Sequence, residues 1–435
     1  MSPEIAGVTG LLLLFVLLFA GMPIGLGMAL MGFLGFAYLW GLDASLVQIG
    51  LTAYSSVAAQ AMSVVPLFIV MGHFAFASGV TEDAYDAAHM ALGRLPGGLA
   101  MSTIGASAGF AACTGSSLAS AATMTKVALP EMMRYKYDPK LATGSIAAGG
   151  TLGILIPPSV PMIVYAIITE TSIGRLFIAG IIPGILLSGL FIAVIYIMAR
   201  AMPPMGGPPA VKAAWRVIPA IAVRIWPAAL LAVIVMGGIW GGVFSPTEAG
   251  GMGAFAALII AAARRKLSRQ NFIEALRDTI KTTAMIFVIV IGAMIFGAFM
   301  TISGLPAALV EFLGGIEMPP TVVLILILIV YVFLGCIMDT LALTLITLPI
   351  IFPLILSLGF DPIWFGILFT INVEMALVTP PIGINVFIIS GMAKDIPMYT
   401  IFRGVLPFIA AMAVCTGLII AFPQIALFLP GTMMK

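Results

Sequence analysis

Long apolar runs, separated by short stretches rich in glycine, proline or charge, recur from one end of this chain to the other. They fall at 5–20, 24–40, 61–78, 141–165 and 177–199, and again at 225–243, 247–263, 283–303, 364–388 and 404–422. Runs of this length and purity predict helices that cross a lipid bilayer. Two further apolar stretches, 98–128 and 322–350, are interrupted near their middles, the first at Thr114-Gly115-Ser116-Ser117 and the second at Asp339-Thr340. Each half of such a stretch is about 14 residues, too short at 1.5 Å per residue for a hydrocarbon core about 30 Å thick. Both read as re-entrant helical hairpins. The stretches 46–58 and 269–281 are amphipathic and read as arms lying along the membrane surface.

The breakers repeat. Pro157-Pro158 and Pro380-Pro381 interrupt otherwise apolar segments and lie 223 residues apart. The same offset carries Asp138-Pro139 onto Asp361-Pro362, Pro130 onto Pro353, Pro23 onto Pro246 and Cys113 onto Cys336. A constant offset through so many punctuation marks predicts a duplicated fold. The first repeat occupies 1–200, with hairpin 98–128 and broken helix 141–165. A proline- and glycine-rich linker covers 201–223. The second repeat runs over 224–435, with hairpin 322–350 and broken helix 364–388. With five spans per repeat, the second copy enters the membrane upside down. The expected fold class is an all-α polytopic membrane protein of two inverted-topology repeats.

Composition agrees: 62% of the 435 residues are hydrophobic and 8% are charged, too few charges to clothe a soluble domain of this size. The position of the charges tests the inversion separately. Arg264, Arg265, Lys266, Arg269, Arg277 and Lys281 make the most basic segment, whereas its counterpart, 41–58, holds Asp43 and no Lys or Arg. Arg134, Lys136 and Lys140 follow the first hairpin, and their counterpart, 354–363, has only Asp361. Under the positive-inside rule this alternation puts both termini outside, the first hairpin opening inward and the second outward. Arg94, Arg200, Lys212, Arg216, Arg224, Lys394 and Arg403 then also fall inside. Arg175 and Lys435 fall outside, and Lys126 lies within the first hairpin. Cys113, Cys336 and Cys415 have no metal or disulfide spacing and read as packing residues, and His73 and His89 have no ligand partners nearby in sequence.

Four elements are expected to meet at mid-membrane, two hairpin tips and two broken helices. Paired breaks in corresponding positions of two halves point to the binding site of a secondary transporter. Proline removes an amide donor and releases the carbonyl four residues earlier, so the pairs are expected to free the carbonyls of Gly153, Ile154, Ala376 and Leu377. Such carbonyls, with Ser and Thr hydroxyls, are the hard ligands that suit a sodium ion, and half-helix N-termini suit a substrate carboxylate. Asp339 is either a cation ligand or a helix cap. Glu374, two turns before its break, reads as orienting its neighbours ahead of ligating directly, Glu248 as capping after Ser245-Pro246-Thr247, and Glu170 is left open. Lys126 either snorkels or pairs with an acid. A bland alternative covers each Ser, Thr and Gly singly, since membrane helices use them for packing.

Several stretches resemble the large membrane subunit of tripartite ATP-independent periplasmic (TRAP) transporters, the dicarboxylate-type M subunit. They are T-G-S-S-L-A-S-A-A-T-M at 114–124, L-P-E-M at 129–132, Y-D-P at 137–139, G-G-T-L-G-I-L-I-P-P-S at 149–159, F-S-P-T-E-A at 244–249, M-D-T-L-A at 338–342 and E-M-A-L-V-T-P-P-I-G-I-N at 374–385. The resemblance implies an elevator-type carrier in the bacterial inner membrane, driven by sodium as coupling ion and using no organic cofactor. It implies a small four-helix Q-type membrane subunit and a periplasmic solute-binding P subunit as partners, and an organic acid as substrate. Neither an enzymatic activity nor a nucleic-acid partner is expected. Carried onto these positions, one sodium site falls at Ser116, Ser117, Gly150, Gly153 and Pro157 and the other at Asp339, Thr340, Thr379, Pro380 and Gly383. Substrate falls near Thr114, Ser116, Thr340 and Asn385. The moving transport unit is expected to be 61–165 plus 283–388, the remainder forming the scaffold. A stand-alone sodium/divalent-anion symporter, with no binding protein, is the alternative. An intramembrane enzyme would need a nucleophile–base pair or a metal cluster in the core, and neither spacing is present.

Overall fold

The computed structural model describes residues 2–207, 218–314 and 318–433, with the side chains of 112–114, 218–220, 222, 313 and 314 excepted. Among the described residues the chain is helical throughout and has no strand. The first half comprises α1 (Pro3–Phe19), α2 (Ile24–Trp40), α3 (Leu42–Ala58), α4 (Val64–Ala77), α5 (Val80–Leu92), α6 (Gly98–Thr114), α7 (Ser117–Arg134), α8 (Pro139–Leu155), α9 (Val160–Ile168) and α10 (Ile173–Ala201). The second comprises α11 (Ile218–Ala232), a π-turn leading into α12 (Gly238–Trp240), α13 (Pro246–Ala263), α14 (Arg269–Ile302), α15 (Leu305–Gly314), α16 (Pro320–Gly335), α17 (Thr340–Ser357), α18 (Pro362–Ala376), α19 (Ile384–Met392), α20 (Met398–Ala421) and α21 (Gln424–Gly431).

Helix starts follow from local chemistry. Asp138 and Asp361 each precede a proline at the first helical position, which has no amide to satisfy. The Asp138 carboxylate accepts from the Lys140 amide at 2.8 Å, and that of Asp361 from the Ile363 and Trp364 amides at 2.8 and 3.0 Å. Ser245 and Glu248 form a reciprocal capping box at the start of α13, as expected of Glu248.

Among the described residues seven helices are long and apolar enough to cross a membrane, or eight if α8 and α9, bent by 42° at their break, count as one span. Six of the seven coincide with expected spans and the bent pair with a seventh; the remaining one, α17, is an arm of the second hairpin, and the expected spans 5–20, 24–40 and 364–388 fall short by length. α1 and α2, at 17 residues each, reach about 25 Å, the short end of the spanning range. The hairpin arms differ more. α6, α7, α16 and α17 have 17, 18, 16 and 18 residues, longer than the halves expected, and α17 alone of the four is long and apolar enough to cross. The helices run on through Pro130 and Pro353, past the hairpin ends expected at 128 and 350. The arm expected at 269–281 is not separate. It is the first third of α14, which is 34 residues and therefore about 51 Å long, well beyond the hydrocarbon thickness. The end of the expected linker is already helical, in α11; Lys212 and Arg216 lie outside the described residues.

Helices related by the 223-residue offset exchange partners. α2 packs on α14 while its equivalent, α13, packs on α4, and α7 packs on α19 while its equivalent, α17, packs on α9. The α2–α14 seam is backbone against backbone. A Cβ at Gly25 would stand 2.7 Å from the Val288 carbonyl, and one at Gly32 would stand 2.7 Å from the Phe296 amide. Small residues permit this approach in lipid, where packing takes the place of the hydrophobic effect between helices. Large apolar side chains such as Leu12, Phe19, Trp40, Tyr54 and Phe333 remain exposed, as on a surface that lipid covers. At one end of the bundle, Asp83 and Asp86 of α5 pair with Arg264 and Arg224, and Arg264 also donates to the Ser78 carbonyl at 3.0 Å. Three segments assigned to one side of the membrane by charge therefore meet at one place.

Candidate functional site

Each hairpin tip closes on its own break. At the first, Gly115 takes φ +60°, a left-handed conformation that glycine adopts without strain, and its backbone sits so near the Pro158 carbonyl that a Cβ would be 2.5 Å from it. Gly153 of α8 lies beneath the same tip, its missing Cβ leaving room for the Ser116 carbonyl and Ser117 amide. Gly150 packs one turn away against the Ser117 carbonyl and Ala121. Ser116, Ser117, Gly150 and Gly153 are thus brought together. Pro157 points away, its ring packing near Gly180 of α10. The Ile156 amide returns to the Leu152 carbonyl and two prolines follow, so the Gly153 and Ile154 carbonyls have no helical partner.

The second break differs. Seven residues separate α18 from α19, against four between α8 and α9. The extra length lets the backbone turn back on itself. The Ala376 carbonyl accepts from the Thr379 amide at 3.1 Å and the Leu377 carbonyl from the Asn385 amide at 3.1 Å. These two carbonyls, expected to be free, are occupied. The tip still reaches the break: the Cys336 thiol donates to the Pro380 carbonyl at 3.4 Å. Gly383, at φ +60°, sits within reach of the Thr379 and Leu377 carbonyls.

The hydroxyls divide by role. Ser116 caps α7, accepting from the Ala119 amide at 3.4 Å, and borders a cavity. Asp339 caps α17, accepting from the Ala342 amide at 2.9 Å, so the capping role left open for it is realised. Thr379 donates to the Met375 carbonyl at 2.6 Å. Thr340 is buried and its hydroxyl has no partner among the described residues. Asn385 is fully buried and donates to Ser117 Oγ at 2.7 Å, joining the second break to the first tip. The side chains of Thr114 and Cys113 lie outside the described residues.

Two features escaped the sequence reading. Ser159 caps α9 through the Met162 amide at 3.4 Å, completing the first break as Ser116 completes the tip. Beside Ser116 opens a cavity of about 650 Å³, bordered by Thr123 and Val160 and by His73, Glu82, Glu274 and Asp278. None of the residues lining it is Lys or Arg, so its field attracts cations and resists free anions. Glu274 and Asp278 stand one turn apart on α14 and could have been read as one acidic face. Among the described residues no cluster of three His, Cys, Asp or Glu is placed to hold a metal.

Hairpins whose tips meet broken helices inside a multi-pass bundle define a membrane-carrier architecture. The Alcanivorax borkumensis YdaH transporter has a similar fold, with a TM-score of 0.67 at 15% identity over 98% of this chain and all of that one. Residues 11–425 match the family described as tripartite ATP-independent periplasmic transporter, DctM component. The chain is 35% identical over 378 residues to the C4-dicarboxylate TRAP transporter large permease of Pseudomonas aeruginosa, covering 84% of this chain and 85% of that one. It is 34% identical over 419 residues to the sialic acid TRAP transporter large permease of Vibrio cholerae, covering 95% and 96%. An isethionate permease of Oleidesulfovibrio alaskensis, named DctMQ, is 33% identical over 97% of this chain and 66% of its own length. The chain belongs to the TRAP transporter large permease family. It is a multi-pass membrane permease, and these relatives are permeases rather than enzymes.

Proposed function

We propose that this chain carries an organic acid across the bacterial inner membrane, driven by sodium, as the large subunit of a three-part transporter. The observation that carries the reading is the closure of each tip on its own break, at Gly115–Pro158 and at Cys336–Pro380. Unpartnered carbonyls at Gly153 and Ile154, next to the Ser116 and Ser117 backbone, supply hard oxygen ligands for one sodium. Thr340, Thr379, Pro380 and Gly383 supply the second, with Asp339 holding the tip by its cap. Substrate sits between the tips near Ser116 and Thr340. The acidic cavity beside Ser116 draws the ion and not the free anion, so the acid is handled as a partner of bound sodium. The C4-dicarboxylate and sialic acid relatives support a carboxylate substrate. Family membership supports a small membrane subunit and a periplasmic binding protein as partners.

The two halves are inverted copies, and the hairpins with their broken helices move as a unit against the rest. Its boundary differs from the 61–165 plus 283–388 division. α4 and α14 are tied to α13 and α2, the latter through backbone-close glycines, and a seam of that kind does not slide. α4 and α14 accordingly stay with the scaffold, while α10 and α20, whose Gly180 and Gly404 meet the α8 backbone just as closely, move with 98–165 and 320–388. Uptake by proteoliposomes holding this chain and its small subunit, with and without the binding protein, tests the assignment. Uptake that requires the binding protein supports the three-part system, and uptake indifferent to it makes the chain a stand-alone symporter.

A further inference from the structure

Glu374 on α18 is 1% exposed, and neither carboxylate oxygen has a hydrogen-bond partner among the described residues. The polar group beside it is the Ser117 hydroxyl of the first hairpin. Ser117 also accepts from Asn385 Nδ2, while Asn385 Oδ1 is itself buried and unpartnered. The Ser117 hydroxyl, accepting from Asn385, keeps its own hydrogen for Glu374, so the two carboxylate oxygens and Asn385 Oδ1 share a single hydroxyl donor where the first tip meets the second half. Among the described residues no charged side chain offsets the carboxylate. The helices packed on α18 carry their charges at their ends, as Lys140, Arg175, Arg200 and Arg403, and Lys126 of α7 is exposed. An isolated carboxylate in the membrane core is expensive and is kept where something charged visits it. A buried carboxylate with more acceptor oxygens than donors around it suits a cation, and its oxygens are the hard ligands sodium takes.

We propose that Glu374, Asn385 and Ser117 form a sodium site bridging the two halves, additional to the sites at the hairpin tips. Glu374 supplies its one formal negative charge, so a sodium bound there crosses as a neutral pair. Ser117 is shared with the first tip site, which makes occupancy of that site and of the bridge interdependent. The inference rests on the sodium-coupled reading and adds to it a residue that binds the ion directly.

The test is the thermal unfolding of the purified chain with its small subunit, titrated with sodium chloride against choline chloride at constant ionic strength. Glu374→Gln is expected to raise the sodium concentration for half-maximal stabilisation about tenfold or more and to make the titration less steep, since it removes a charged ligand. Glu374→Asp should fall between it and the wild type. A Glu374→Gln titration superimposable on the wild type overturns the site, as does a variant altered only in its response to pH, which would make a proton the occupant. A wild type that sodium does not stabilise overturns the sodium-coupled reading itself. If Glu374→Gln does not assemble, Asn385→Ala read in the same titration replaces it, with a rightward shift expected and no shift counting against the site.

Discussion

Gly153→Ala is the most direct perturbation of the contact between the first tip and its break. The added Cβ would stand 2.7 Å from the Ser116 carbonyl oxygen, 2.9 Å from its carbon and 3.1 Å from the Ser117 amide, all backbone atoms, whereas ordinary contact begins at 3.4 Å. The tip must therefore retreat by roughly 0.7 Å, and displacements approaching 1 Å at a binding centre cost up to about a hundredfold. Alanine is the better helix former by about 1 kcal/mol, so a loss cannot be laid to α8 itself. The assay is the initial rate of organic-acid uptake in proteoliposomes as a function of external sodium. Half-saturating sodium should rise roughly ten- to a hundredfold in Gly153→Ala. In Gly150→Ala, whose Cβ would meet the Ala121 side chain at 3.0 Å, the rise should be smaller. Gly189→Ala on α10, with open space around its Cβ, should match the wild type. A Gly153→Ala curve lying on that of Gly189→Ala would refute the idea that the tip backbone holds the ion.

Asp339→Asn should keep the α17 cap and most of the uptake, whereas Asp339→Ala should lose about 1 kcal/mol of stability by thermal unfolding; a folded Asp339→Asn protein without transport would instead make the charge an ion ligand. Arg264→Ala should lower the melting temperature more than Arg224→Ala, because Arg264 is part-buried and holds both Asp83 and the Ser78 carbonyl while Arg224 makes one exposed pair. A disulfide between span 24–40 and the membrane part of α14 should leave uptake intact, and one between span 24–40 and hairpin 98–128 should arrest it. Arrest by the first, or free transport with the second, would move the sliding boundary.

Much of the architecture was legible because proline, glycine and Asp-Pro act locally. The two Asp-Pro caps, the Ser245–Glu248 box and both Pro-Pro breaks stand where the repeat put them. Length was less legible. Apolar periodicity does not show whether a proline ends a helix, and α7 and α17 continue through Pro130, Pro349 and Pro353. The continuity of α14 was hidden for the opposite reason, since a change from polar to apolar composition at 282 is not a break in the backbone. The occupied carbonyls at Ala376 and Leu377 depend on how seven residues fold back, which no local rule specifies. The Ser117–Asn385 bond spans 268 residues and the neighbourhood of Glu374 is assembled from three helices, so neither could be read from spacing.

The central claim is that sodium closing the tips onto their breaks drives the carrier. Its most direct measurement is accumulation of a radiolabelled organic acid in proteoliposomes holding this chain, its small subunit and the loaded binding protein, with an imposed inward sodium gradient. Accumulation above the external concentration that collapses when sodium is equal on both sides is the predicted result. Accumulation that persists without a sodium gradient, or follows a proton gradient instead, would contradict the account.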